Sequence, residues 1–283
     1  MMQPRKVVRL HAAYRDDIGD LVTRRPLPGP ALPHLDPFLF LNHHGPQTYR
    51  PGNNGLPFGP HPHRGFETVT FILEGALSHL DSGGHESVIH AGGVQWMTAG
   101  SGLVHAELSP ESFKRSGGPL EILQLWVNLP ARLKMTTPAY VGLEAADIPK
   151  VEIESGRVEL ISGSFGGVDG PVKPLADVRM MVVRLDAGGA VDLPVDAGRT
   201  VFLYVAGGTC RVAGTTAPAH HLVGLGKEGD GISLSSDSGA VLLFGHAAPF
   251  REPIVSHGPF VMNTREEIYA AMQDYQAGRF GSL

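Results

Sequence analysis

Cysteine occurs once in 283 residues, at Cys210. No intramolecular disulfide can form, which suits a reducing compartment. Thr209-Cys210-Arg211-Val212 follows a Gly-Gly turn and reads as a strand, so Cys210 is expected to be a packed residue rather than a nucleophile. No apolar run approaches the ~20 residues of a membrane span. Arg24-Arg25 is followed by Pro26-Leu27-Pro28-Gly29-Pro30, where a twin-arginine signal would begin its apolar core. A soluble, cytoplasmic protein is expected. There is no lysine- or arginine-rich block, and the formal net charge is −5, so a direct grip on a nucleic-acid backbone is not expected. Helical periodicity is equally scarce, with one clear segment near the C-terminus.

Turn residues are abundant. Glycine (37) and proline (23) make up about a fifth of the chain, against an average nearer ~12%. This composition predicts an all-β protein. Strands are expected at residues 6–10, 38–42, 66–73, 76–81, 94–98 and 121–128; in the third, Val69, Phe71 and Leu73 alternate onto one face. The stretch 22–37 carries Pro26, Pro28, Pro30, Pro33 and Pro37 and is expected to be irregular. His43 and His44 follow a strand at an expected turn, which gives them a solvent or rim role. Short strands separated by tight turns predict a jelly-roll barrel, the double-stranded β-helix.

The second half repeats the first. Thr68-Val-Thr-Phe-Ile-Leu-Glu-Gly75 matches Thr200-Val-Phe-Leu-Tyr-Val-Ala-Gly207, and the same offset carries His61-Pro62-His63 onto Leu193-Pro194-Val195. Ser101 to Glu107 aligns with Ser238 to Phe244, placing Leu242 and Phe244 where the first half has His105 and Glu107. Two tandem barrels are expected, at residues 1–135 and 136–283. A helix at about 264–278 would end the second, opened by the capping box Thr264-x-x-Glu267 with Ile268, Met272 and Tyr275 as its apolar stripe.

The chemistry concentrates at four residues. His61 and His63 stand at i and i+2, so in an extended segment both imidazoles share a face. His105-Ala106-Glu107 repeats the arrangement with an imidazole and a carboxylate. Two such strands side by side would bring three imidazole nitrogens and one oxygen anion to a common point. That donor set suits Fe, Ni, Cu, Co, Mn or Zn. Four protein ligands on an octahedral ion would leave two positions open, for a substrate oxygen and O2. The barrel of the second half, with aliphatic residues at the matching positions, is expected to bind no metal.

Gly55, five residues, His61-x-His63, three residues and Glu67 form the first half of the cupin signature. Gly93 and Gly100-Ser-Gly-Leu-Val-His105 resemble its second half, with Gly100 where proline is usual and Gly75 one residue late. His61-Pro-His-Arg-Gly-Phe-Glu67, Gln95-Trp-Met-Thr-Ala-Gly100, Asp36-Pro-Phe-Leu39 and His257-Gly-Pro-Phe-Val-Met-Asn-Thr-Arg-Glu-Glu267 resemble the pirin family, from about residue 36 to the C-terminus. The resemblance implies two cupin barrels and one transition metal, iron first, held by His61, His63, His105 and Glu107, with Glu67 behind the ligands. It also implies a flavonol 2,3-dioxygenase activity of the quercetinase type. Glu107 or Glu67 would take the substrate proton; Trp96, Met97 and Phe66, close to the ligands in sequence, are each expected in the core, with a place in an aromatic pocket as the other reading. The alternative it implies is a non-catalytic, redox-sensitive iron protein that contacts a protein partner.

Overall fold

A computed structural model describes residues 2–283, and strands dominate it. The chain forms two compact units, and neither is a continuous half of the sequence. One takes Arg15–Arg24, Phe38–Ala146 and Phe250–Leu283; the other takes the residues up to Tyr14, Arg25–Pro37 and Asp147–Pro249. The expected division at residue 135 therefore misplaces both ends of the chain. The first strand, Val7–Ala12, pairs antiparallel with His221–Leu225, which commits it to the later barrel. The helix Arg265–Gln276 buries Ile268 and Ala271 in a cluster with Val104, Phe260, Met262 and Phe280, which commits the tail to the earlier one.

In the earlier unit, strands Ala139–Leu143, Val94–Thr98, Phe66–Glu74, Gly118–Asn128 and Phe38–Tyr49 are successive neighbours in one sheet. Phe66–Glu74 lies between two partners, and seven of its nine residues are buried. That position explains its β-branched threonines: Thr68 and Thr70 suit a pleated interior and bring hydroxyls into it. The second sheet runs Phe58–His63, Leu103–Leu108, Ala76–Asp81, Glu86–His90. Its first two strands carry the two histidine motifs, and pairing sets His105 opposite His61.

The later unit has the same plan, and its strand pairing corrects the internal alignment. Ala240–Ala247 pairs with Thr200–Val212 as Gly118–Asn128 pairs with Phe66–Glu74. The place of the ligand strand Leu103–Leu108 is taken instead by Gly231–Ser235, which pairs with Ala190–Pro194. Leu193 stands opposite Ile232 there, as His61 stands opposite His105. Ile232 and Leu234 are thus the apolar counterparts on that strand. Leu242 and Phe244 belong to a different one. The short match through Ser238-Gly239 misled because neighbouring strands of one barrel share the same apolar alternation. Leu193, Val195, Ile232, Leu234, Leu242 and Phe244 all lie in one buried apolar cluster.

Three local expectations also change. Strand Thr23–Leu27 forms within the proline-rich stretch. Phe38–Tyr49 continues straight through His43 and His44, which are buried. Adjacent residues of a strand point to opposite faces, and each ring finds its own partner: His43 Nε2 lies 2.8 Å from Glu121 Oε1, and His44 Nδ1 lies 2.8 Å from Thr23 Oγ1. A short helix, Glu111–Ser116, was not signalled by periodicity because six residues span under two turns. The C-terminal capping box is present in both directions. Cys210 is buried, and burial pushes its thiol up to about 11. Among the described residues, no helix is long and apolar enough to cross a membrane.

Deleting residues 250–283 is expected to loosen the earlier barrel and leave the later one intact. Hydrogen exchange should show lost protection in Leu103–Leu108 with protection retained in Thr200–Val212; equal loss in both would contradict the assignment of the tail.

Candidate metal centre

Strand pairing builds the site. His61 and His63 end one strand, His105 lies on its neighbour, and the donor nitrogens of the three rings lie within 4.8 Å of one another. His63 and His105 are buried and His61 is half-buried, so the cluster is approached from the His61 side. His61 Nδ1 donates to the carbonyl of Gly59 at 2.7 Å, and His63 Nδ1 donates to that of Pro259 at 3.2 Å. A carbonyl can only accept, so both rings carry their proton on Nδ1 and keep a lone pair on Nε2.

Burial is the main force holding these rings neutral. It lowers the pKa of His61 and takes that of His63 down to about 3, with His61 as a second cause. His105 is pushed well below its usual value by burial first, then by His63, His61 and His79. Both ring nitrogens of His105 are buried with no hydrogen-bond partner among the described residues. A buried nitrogen left so costs about 1–3 kcal/mol. Three neutral imidazoles with free lone pairs, one of them wholly unpartnered, fit a transition-metal ion.

The two carboxylates differ from the rings. Neither joins the group of donor atoms within 4.8 Å. Glu107 is two residues from His105 and buried; it accepts from Thr70 Oγ1 at 3.1 Å and from Gln124 Nε2. Burial lifts its carboxyl to about 7, against the pull of those two donors. Glu67 accepts from Thr98 Oγ1 at 2.7 Å, and burial raises its pKa too.

The aromatic surroundings of the site come from several strands. Phe66 packs on His63 with ring centroids 5.0 Å apart. Trp96 and Met97 are core residues of Val94–Thr98, buried within its sheet. Two neighbours had no signal near the motifs. Trp126, on Gly118–Asn128, sets its ring 5.3 Å from His63. His79 lies opposite Glu107 in the strand ladder, with its ring 5.6 Å from that of His105. His79 Nε2 meets Asp81 Oδ2 at 3.0 Å, Asp81 also takes His85 Nδ1, and Tyr140 stacks on His79 at 4.1 Å. The i, i+2 spacing of His79 and Asp81 is the one sequence cue that could have marked this pair.

These pKa directions imply a pH dependence for the metal-free protein. A histidine whose folded pKa is depressed costs nothing above its unfolded value near 6.5 and costs stability as pH falls below it. Glu107 acts oppositely, because a raised carboxyl favours the folded state less as pH climbs from about 4.5 to about 7. The urea midpoint is therefore expected to be lower at pH 5 than at pH 7.5. Glu107→Gln, which removes one of the two buried carboxyls that oppose the histidines (Glu67 is the other), should steepen that acid loss; a shallower loss would contradict the burial assigned to Glu107.

Residues 20–127 match the family model described as Pirin, and residues 180–281 match the one described as Pirin C-terminal cupin domain. A pirin-like protein of Caulobacter vibrioides is 42% identical over 269 residues, which cover 94% of each chain. Human pirin is 38% identical over 267 residues, 91% of this chain and 87% of that one. The crystal structure of a quercetin 2,3-dioxygenase from Acinetobacter baumannii matches with a TM-score of 0.92 at 33% identity, over 99% of both chains. The two strand-built units, the histidine cluster on paired strands and similarity along nearly the whole length agree: the chain is a two-cupin protein and belongs to the pirin family.

Proposed function

We propose that this protein is a metal-dependent dioxygenase that opens flavonols such as quercetin with O2 and releases carbon monoxide. In this reading the metal is iron, held by His61, His63, His105 and Glu107. The carrying observation is the buried, unpartnered imidazole of His105 between two rings whose Nε2 lone pairs are free. The similarity to a quercetin 2,3-dioxygenase over 99% of both chains supports the substrate class.

A bound transition metal supplies Lewis-acid and template chemistry for the flavonol oxygen and for O2. The chain's own groups prepare the substrate. Glu107 accepts the proton of the flavonol 3-hydroxyl; such general-base help is worth ~10²–10⁴-fold. Thr70 and Gln124 aim its two oxygens. Phe66 and Trp126 pack on His63 and exclude water from that side of the ring. Glu67, held by Thr98, stands behind the ligands and orients them.

Iron-loaded protein is expected to consume quercetin with release of carbon monoxide, and to leave analogues lacking the 3-hydroxyl untouched. His105→Ala should abolish turnover and most metal binding. No difference in product between wild type and this variant across several flavonols would sink the dioxygenase reading and favour the non-catalytic regulator. The two carboxylates separate in metal content. Glu107→Gln should weaken metal binding, whereas Glu67→Gln should retain the metal and change turnover by ~10–100-fold at most; the reverse pattern would exchange their roles.

A further inference from the structure

We propose that the C-terminal segment is a positioning clamp for the histidine cluster. Pro259 fixes the tautomer and orientation of His63, and Arg64, Asp274 and Phe280 hold Pro259 in place. The proposal rests on the metal-binding reading above, and it adds that retention of the ion depends on residues nearly two hundred positions away in sequence.

The contacts run along both ligand strands. Beside His63, Arg64 N–H donates to the same Pro259 carbonyl at 3.4 Å, and Val261 N–H donates back to the Arg64 carbonyl at 3.1 Å. Arg64 and Phe260 form a parallel bridge. Gly65 permits this approach: at φ +90° a Cβ there would lie 2.0 Å from the Val261 carbonyl oxygen. The Arg64 side chain is itself buried. Its Nε donates to the Ser101 carbonyl at 2.7 Å, its Nη1 meets Asp274 Oδ2 at 2.9 Å, and its guanidinium lies 4.6 Å from the Phe280 ring centroid.

Lys134 fastens the same junction. Its buried ammonium donates to the carbonyls of Gly65 at 2.8 Å and Val261 at 3.0 Å and to Asn128 Oδ1 at 2.6 Å. The second ligand strand is reached through Ser82, whose hydroxyl donates to the Phe280 carbonyl at 2.6 Å and accepts from Val104 N–H, next to His105, at 3.1 Å. Among the described residues His63 Nδ1 bonds to no other group, so the tail alone supplies the acceptor that frees Nε2. An imidazole without that acceptor would divide between two tautomers and rotate, and only one arrangement presents a lone pair to the ion.

Asp274 is the member to change, because it is partly exposed, lies on the helix and touches no other ligand-side group. The experiment compares wild type, Asp274→Ala, the milder Asp274→Asn and Arg265→Ala, an exposed change on the same helix. Long-range ¹H–¹⁵N spectra of metal-free protein read the His63 tautomer, and Co(II) titration against a competing chelator reads affinity. Wild type and Arg265→Ala should show His63 as the Nδ1–H form with equal Co(II) affinity. Asp274→Ala should show mixed tautomers and affinity weakened by ~10–100-fold, with Asp274→Asn between. If the alanine variant does not fold, the asparagine variant decides. A wild-type tautomer or wild-type affinity in the folded variant overturns the clamp. Failure of wild type itself to bind Co(II) defeats the metal reading and with it the claim about retention, while the tautomer still decides the positioning role of Pro259.

Discussion

Three neutral imidazoles packed against one another inside a β-barrel set the terms for everything around them. A protonated ring there would meet both a desolvation cost and its neighbours' repulsion, so all three stay uncharged at neutral pH. A neutral ring has one donor and one acceptor nitrogen, and burial demands a use for each. Two of the donors are answered by backbone carbonyls, from Gly59 and Pro259. What stays unanswered is the set of lone pairs facing one another, together with both nitrogens of His105. The site is thus defined by what its surroundings satisfy and what they leave open.

Strand geometry makes such a cluster attainable. The alternation that points residues i and i+2 to one face also puts two donors of one strand within reach of a neighbour's. Register then decides which residues meet, and the pairing of His61 with His105 is the step that assembles the triad. The later barrel shows the same scaffold with Leu193 opposite Ile232. Aliphatic side chains there need no partners, and they join a continuous apolar cluster instead. One architecture holds a polar cluster in one unit and a hydrophobic core in the other.

Both units also depend on chain from the opposite end of the sequence. Arg5 is buried in the later unit, where its guanidinium donates to the carbonyls of Arg199, Asp196 and Gly229. The tail from Phe250 onward completes the earlier unit and reaches the ligand strands. Neither barrel is therefore encoded by an uninterrupted stretch, although each fold is simple.

The all-β class, the repeat, the C-terminal helix with its capping box, and the histidine motifs on two strands are legible in the residues. These rest on local rules: turn residues, period-two alternation, and short spacings that place side chains on a common face. Spacing alone marked His61, His63, His105 and Glu107, and tertiary structure joined the three rings but not the carboxylate within 4.8 Å. The rest came from long-range packing, which chooses strand neighbours across wide separations in sequence. It buried His43 and His44, gave Trp126 and His79 to the site, and replaced Leu242 and Phe244 by Ile232 and Leu234 as counterparts of the ligand strand. It also moved both termini to the opposite barrel, since a terminal strand or helix is held by whichever surface can bury its apolar face, and nothing in its own residues names that surface.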